Sequence, residues 1–242
     1  MLFLLAPLLV AFAFLNSCSP MGGPGSSGGL DYWGNRAGPQ GFRTVIIDAG
    51  HGGKDSGAVS PFTGQKEKDA NLDLANRLRS ELGGSFRTVM MRSDDRFIEL
   101  DDRVAFANRY PGAILVSLHF NAGSSSRRGP ETYWWRVDSH GLAVRCQRAM
   151  KSVAPASENA GLSRRRLRLT RNPSIPCVLL EGGYMSNSSE AQQINSASHR
   201  DRLAKAIAKA IRDQAAYGDA GTGPRPPFIK SAPSRPTDAA GS

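Results

Sequence analysis

Short apolar runs alternate with amphipathic stretches through the middle of this chain. Five runs read as strands: Thr44–Asp48, Arg87–Arg92, Ala113–Leu118, Glu131–Trp135 and Cys177–Leu180. Between them the apolar spacing changes to a helical period. In "KDANLDLANRLRSELGG", Leu72, Ala75, Leu78 and Leu82 share one face before a Gly-Gly stop. "ELDDRVAFANRY" aligns Leu100, Val104 and Ala107. "SHGLAVRCQRAMKSV" aligns Leu142, Cys146, Ala149, Met150 and Val153, and "DRLAKAIAKAIRDQA" aligns Leu203, Ile207, Ala210 and Ile211. Strands alternating with helices predict an α/β fold: a mainly parallel twisted sheet with helices on both faces, forming a single domain.

The flanks lack this periodicity. An apolar run from Leu2 to Leu15 is short for a bilayer span and fits a secretory signal. "LNSC", Leu15 to Cys18, resembles a bacterial lipobox, although no Lys or Arg precedes the run and Asn16 is unusual there. A plain cleaved signal, or a start at Met21, fits the same residues. The expected organisation is a signal over 1–18 with Cys18 as a membrane tether, a Gly/Ser/Pro linker over 19–40, a folded unit over 41–218 and a Pro-rich disordered tail over 219–242. Export would place the protein in the cell envelope, periplasmic or otherwise outside the cytoplasm.

A hydrophobic content of 40% is enough for a sizeable core in one domain of this length. The net charge of +10 sits mostly in the folded unit. Asp31 and Arg36 cancel within the first forty residues, and the last twenty-four carry a net +1, which leaves +9 on 41–218. Such a balance suits an anionic wall or membrane, acidic substrates or nucleic acid. No nucleic-acid module is recognisable, and an exported chain is kept from that partner. Apart from Cys18, only Cys146 and Cys177 remain, too few for a disulfide framework or a zinc-binding cysteine cluster; both read as small buried hydrophobes.

Three residues with useful chemistry stand at strand ends. His51 follows the first strand in "DAGHGGKDSG", His119 ends another in "AILVSLHFNAG", and Glu181 ends a third in "CVLLEGGYMSN". Open α/β sheets bind ligands outside the carboxyl ends of their strands, so the three are expected to converge. Glu67 opens the helix after the glycine-rich loop, close enough in sequence to join them. Two imidazoles and a carboxylate with one position open make a catalytic zinc arrangement, and a further carboxylate is then needed to move protons. Each residue also has a bland reading: a loop histidine, a satisfied core imidazole, a helix-dipole glutamate. Glu181 resists one, since a carboxylate behind "CVLL" is costly to bury unless used. On residues alone, Glu67 and Glu181 could exchange roles. His140 and His199 read as surface residues.

The blocks "TVIIDAGHGGKDSGA", "QKEKDANLDLANRL", "VMMRSDDRFIELDDRVAFAN", "LVSLHFNAG" and "PCVLLEGGYMSNSSE" resemble, in order, the zinc-dependent N-acetylmuramoyl-L-alanine amidases of the type-3 family. The similarity spans about Arg43 to Ala215. It implies one Zn2+ per chain held by His51, Glu67 and His119, Glu181 as the catalytic carboxylate, and peptidoglycan or muropeptides as substrate. Asn121, two residues after His119, is a further candidate for orienting substrate or for a simple turn. The arginines of "LSRRRLRLTRN" are candidates for a rim that binds stem-peptide carboxylates, or for a solvated face. Only Arg136–Ser139 separate "TYWW" from the next helix, leaving no room for the autoinhibitory helix of some members. A monomer is expected. Rival readings are a binding protein that has lost catalysis, against which all four site residues stand, and a zinc peptidase, which only the resemblance excludes.

Overall fold

The computed structural model describes residues 31–155 and 157–235. The expected signal over 1–18, linker residues 19–30 and tail residues 236–242 lie outside the described residues. Six strands form one sheet: β1 (Thr44–Ala49), β2 (Arg87–Met90), β3 (Ile114–Asn121), β4 (Glu131–Trp134), β5 (Gly161–Arg164) and β6 (Cys177–Tyr184), in the order β2-β1-β3-β6-β4-β5. Every pairing is parallel except β4 with β6. β3 and β6 are central and buried on both faces, which is why they read as continuous apolar runs.

The period-2 alternation of β1 divides two cores. Val45, Ile47 and Ala49 face α1 (Glu67–Leu82), α3 (His140–Val153) and α6 (Ala197–Tyr217), where Leu74, Leu78, Leu142, Cys146, Leu203, Ile207 and Ile211 pack. Ile46 faces the other side with Leu115, Met91, Ala107, Leu169 and Cys177, under α2 (Leu100–Asn108) and the short α4 (Arg168–Arg171). α5 (Ser188–Asn195) completes the set. Helices thus cover both faces of a mainly parallel sheet, as the alternating pattern predicted. Between β4 and α3 lies only one 3-10 turn, Val137–Ser139. Both described cysteines are free and buried, and burial pushes each thiol up to about 12.

Two expectations need correction. Residues 31–40 and 219–235, read as linker and tail, lie against the body. Fully buried Arg136 donates to the Asp31 carbonyl, Arg36 donates to Asp138 at 3.0 Å, the Gln214 amide donates to the Pro39 carbonyl at 3.1 Å, and Asn172 exchanges hydrogen bonds with the Ser234 backbone at 2.8 and 3.1 Å. Pro-rich chain has no periodic pattern of its own, but its carbonyls are available to donors on the body. Those donors come largely from the arginine run. Arg164 reaches the Pro227 carbonyl at 2.7 Å, Arg171 the Ser231 hydroxyl at 2.8 Å, and Arg168 the Ser234 carbonyl. The run serves mainly to hold the C-terminal arm. The second correction is His199, which is buried at 4% exposure; burial, with Arg202 and Arg200 nearby, pushes its pKa down to about 4. His140 is half-buried against Trp134.

Candidate metal centre

The first strand ends in a backbone that few residues tolerate. His51 has φ 61°, and among the described residues it is the one non-glycine with positive φ. Such a conformation persists only where its surroundings over-determine it. Two buried arginines do so here. Arg92 donates to the carbonyls of Ala49 (2.8 Å), Gly50 (2.9 Å) and Lys68 (2.8 Å). Arg103 donates to the carbonyls of Ala49 (3.1 Å), His51 (2.8 Å) and Ile98 (3.1 Å) while pairing with the fully buried Asp48 carboxylate. Ser117 adds a 2.6 Å hydrogen bond to Asp48. The carbonyls of Ala49, Gly50 and His51 are thus clamped one after another.

The glycines make room for the side chains. A Cβ on Gly50 would lie 2.1 Å from His119 Cε1, and one on Gly57 2.5 Å from Glu67 Oε2 and 2.6 Å from His51 Cδ2. Glu67 is brought up by a small hairpin, in which Val59 bridges Lys66 and the Glu67 N–H donates to the Ala58 carbonyl at 2.8 Å.

These elements bring His51, Glu67 and His119 together. Glu67 Oε1 lies 3.0 Å from His51 Nε2 and 2.9 Å from His119 Nδ1, and one donor atom from each residue falls within 4.8 Å of the others. Oε1 also accepts from Asn71 Nδ2 (3.2 Å), and Oε2 accepts from the Ala58 N–H (3.0 Å). On its far side, His51 Nδ1 meets Asp55 Oδ2 at 2.8 Å, a carboxylate contact that fixes the ring and turns Nε2 inward. Burial opposes charge on His51, but hydrogen bonds to the Glu67 and Asp55 carboxylates outweigh it and raise the pKa to about 9. Burial likewise opposes the Glu67 carboxylate, yet both imidazoles hold its pKa far below the usual range. One carboxylate oxygen shared by two imidazole nitrogens is a place for positive charge, whether as protons or as a cation. The donor set suits zinc: two imidazoles and a carboxylate, with a coordination position left over.

Glu181 stands beside this group. It is the register neighbour of His119 across the β3–β6 ladder and of Glu131 across the β6–β4 ladder. It is 8% exposed, and its buried Oε2 has no hydrogen-bond partner among the described residues. Burial, followed by the charges of Glu67 and Glu131, raises its pKa well above the usual carboxylate range, and Arg165 opposes them.

Asp55 and Glu131 escaped the sequence reading, as did the clamping arginines. Glu131 Oε2 accepts from the hydroxyls of Tyr133 (3.0 Å) and Tyr184 (3.1 Å) and from Asn121 Nδ2 (3.3 Å), while Oε1 accepts from Ser163 (2.7 Å). Asn121 Nδ2 also reaches the Tyr133 hydroxyl at 3.2 Å, and its Oδ1 accepts from the Ala122 N–H. The amide of Asn121 is thereby engaged inside the protein. Asp55 was legible as a carboxylate four positions after a candidate ligand; Glu131 had no signal beyond its place at a strand start.

Residues 45–213 match the N-acetylmuramoyl-L-alanine amidase family. The chain is 36% identical over 174 residues to the uncharacterized protein YqiI of Bacillus subtilis (strain 168), covering 70% of this chain and 83% of that one. It is 33% identical over 172 residues to the N-acetylmuramoyl-L-alanine amidase LytC of the same organism, covering 68% of this chain but only 34% of LytC. Among solved structures, the catalytic domain of the amidase CwlV from Bacillus (Paenibacillus) polymyxa var. colistinus superposes with a TM-score of 0.68 at 35% identity, covering 71% of this chain and 97% of that domain.

Proposed function

The chain belongs to the N-acetylmuramoyl-L-alanine amidase family, and from that premise we propose that it is a zinc hydrolase of peptidoglycan. The bond cleaved is the amide between the lactyl group of N-acetylmuramic acid and L-alanine of the stem peptide. Catalysis is assigned to residues 41–218, acting outside the cytoplasm after export through residues 1–18, with Cys18 as a tether. The observation that carries this reading is the convergence of His51 Nε2, Glu67 Oε1 and His119 Nδ1, with a buried carboxyl at Glu181 alongside.

His51, Glu67 and His119 would hold zinc, which when bound supplies a Lewis acid for the scissile carbonyl and makes water acidic enough to lose a proton near neutrality. Glu181 moves that proton. Its unpartnered Oε2 accepts it from the attacking water and then gives it to the departing alanine nitrogen. A carboxyl buried and placed near Glu67 and Glu131 keeps an acquired proton well, which suits it to wait for the leaving group. Glu131, the register neighbour of Glu181, is itself fixed by hydrogen bonds from Tyr133, Tyr184 and Asn121, so Asn121 acts through that network. Asp55 orients His51, and the Arg92–Arg103 clamp holds the loop that carries it. Among the described residues only a 3-10 turn lies between β4 and α3, which supports a site open without an inserted blocking helix.

The test is mass spectrometry of defined muropeptides incubated with the purified protein, before and after chelation and zinc readdition. The expected product is a free stem peptide with an L-alanine amino terminus, lost on chelation and restored by zinc. Cleavage within the peptide would make the protein a peptidase, and chelator-resistant turnover would remove the metal from the reaction.

A further inference from the structure

The two terminal arms meet at the end of the sheet away from the metal centre. The N-terminal arm leads through Gly41 into Thr44, and β1 delivers His51 only at its far end. Arg136, bonded to Asp31 and to the Pro173 and Ser174 carbonyls, marks the same entry end for β6, which starts at Cys177. Six strand residues at about 3.3 Å each set the two ends about 20 Å apart.

Apolar side chains cluster on these arms. Tyr32 and Trp33 on one, and Phe228 and Ile229 on the other, are 38–45% exposed. Trp33 meets Phe228 edge-on at 6.3 Å, and the Lys230 ammonium and Arg171 guanidinium lie 5.5 and 5.0 Å from the Trp33 ring. The cluster is pinned rather than loose: Arg164 and Arg171 hold the Pro227 and Ser231 segments on either side of Phe228. Around it the C-terminal arm exposes Arg225 and Lys230, against Asp219, which accepts from the Gly38 N–H. Rigid aromatic and aliphatic groups ringed by cations match the interfacial zone of an anionic bilayer. A second copy of the chain fits poorly, because its cations would face these.

We propose that the arms form a bilayer-docking surface that seats the domain on anionic phospholipid with the metal centre turned outward. The chain beyond Tyr32 supports this occupant. Residues 19–31, thirteen in all, separate Tyr32 from Cys18 and the apolar run, and they reach at most about 45 Å even if fully extended. That tether rests on the export reading of residues 1–18. No helix among the described residues is long and apolar enough to cross a membrane.

The test uses the chain from Ser19, without the apolar run and Cys18, so that docking and anchoring fail separately. It is sedimented with vesicles of phosphatidylethanolamine and phosphatidylglycerol, with phosphatidylcholine vesicles and with insoluble anionic wall polymer. Binding to the anionic vesicles at low salt is expected, weakening as salt rises. Trp33→Ala with Ile229→Glu should lower that partition about tenfold or more and leave muropeptide turnover unchanged. Absence of vesicle binding would overturn the proposal, as would equal binding by the variant. Binding only to wall polymer, or a dimer abolished by the same variant, would assign the surface to those occupants instead.

Discussion

Replacing Arg103 with Met probes whether the His51 loop is held by buried charge. Arg103 is 3% exposed and its partner Asp48 is fully buried. The substitution keeps most of the aliphatic bulk but removes the pair and the hydrogen bonds to the carbonyls of Ala49, His51 and Ile98. Among the described residues, Asp48 is then left with the Ser117 hydroxyl, at 2.6 Å. Breaking a buried pair by removing one partner costs about 3–5 kcal/mol, a large part of the 5–15 kcal/mol typical of a domain. Equilibrium urea unfolding followed by tryptophan fluorescence measures the loss directly. Adding Asp48→Asn to Arg103→Met removes the stranded charge and should recover a substantial part of it, whereas zinc affinity should stay weakened because the His51 carbonyl remains unheld. A loss below about 1 kcal/mol, or a double variant no more stable than the single one, would refute the clamp.

Three further outcomes follow from the geometry. Gly50→Ala places a methyl group 2.1 Å from His119 Cε1, so zinc content by elemental analysis should fall below one per chain; full loading would show that the ring has somewhere to go. Asp55→Asn keeps the shape but not the charge of the His51 contact, and competition with a chromophoric chelator should report zinc binding about 10–100-fold weaker; unchanged affinity would leave Asp55 without that role. His199 titrates at about 4 in the fold against about 6.5 unfolded. The unfolded chain therefore binds its proton first as pH falls, so stability is lost between pH 6.5 and 4, by up to about 3 kcal/mol. His199→Leu should flatten that part of a pH–stability profile, and an unaltered slope would mean that other groups carry it.

The central strands and most helices were legible because burial on both faces, or on one stripe, leaves a periodic trace. β5 left none: Gly161–Arg164 is an edge strand ending in an arginine whose guanidinium lies over the Trp134 and Trp135 rings, at 4.8 and 5.3 Å. His199 was misread because charged neighbours in sequence say nothing of the elements packed over it. The arms were misread for a related reason: their order comes from arginines on other elements, not from their own pattern. At the site, strand-end placement exposed His51, His119 and Glu181, whereas Glu131 became visible only through the β4–β6 register.

The most direct test of the central claim is zinc stoichiometry and muropeptide turnover measured on one preparation of Glu181→Gln, beside Glu67→Gln. With Glu67 as ligand and Glu181 as proton carrier, the Glu181 variant should keep one zinc per chain and lose turnover, and the Glu67 variant should lose both. Normal turnover by Glu181→Gln, or loss of its zinc with retention by Glu67→Gln, would contradict these roles.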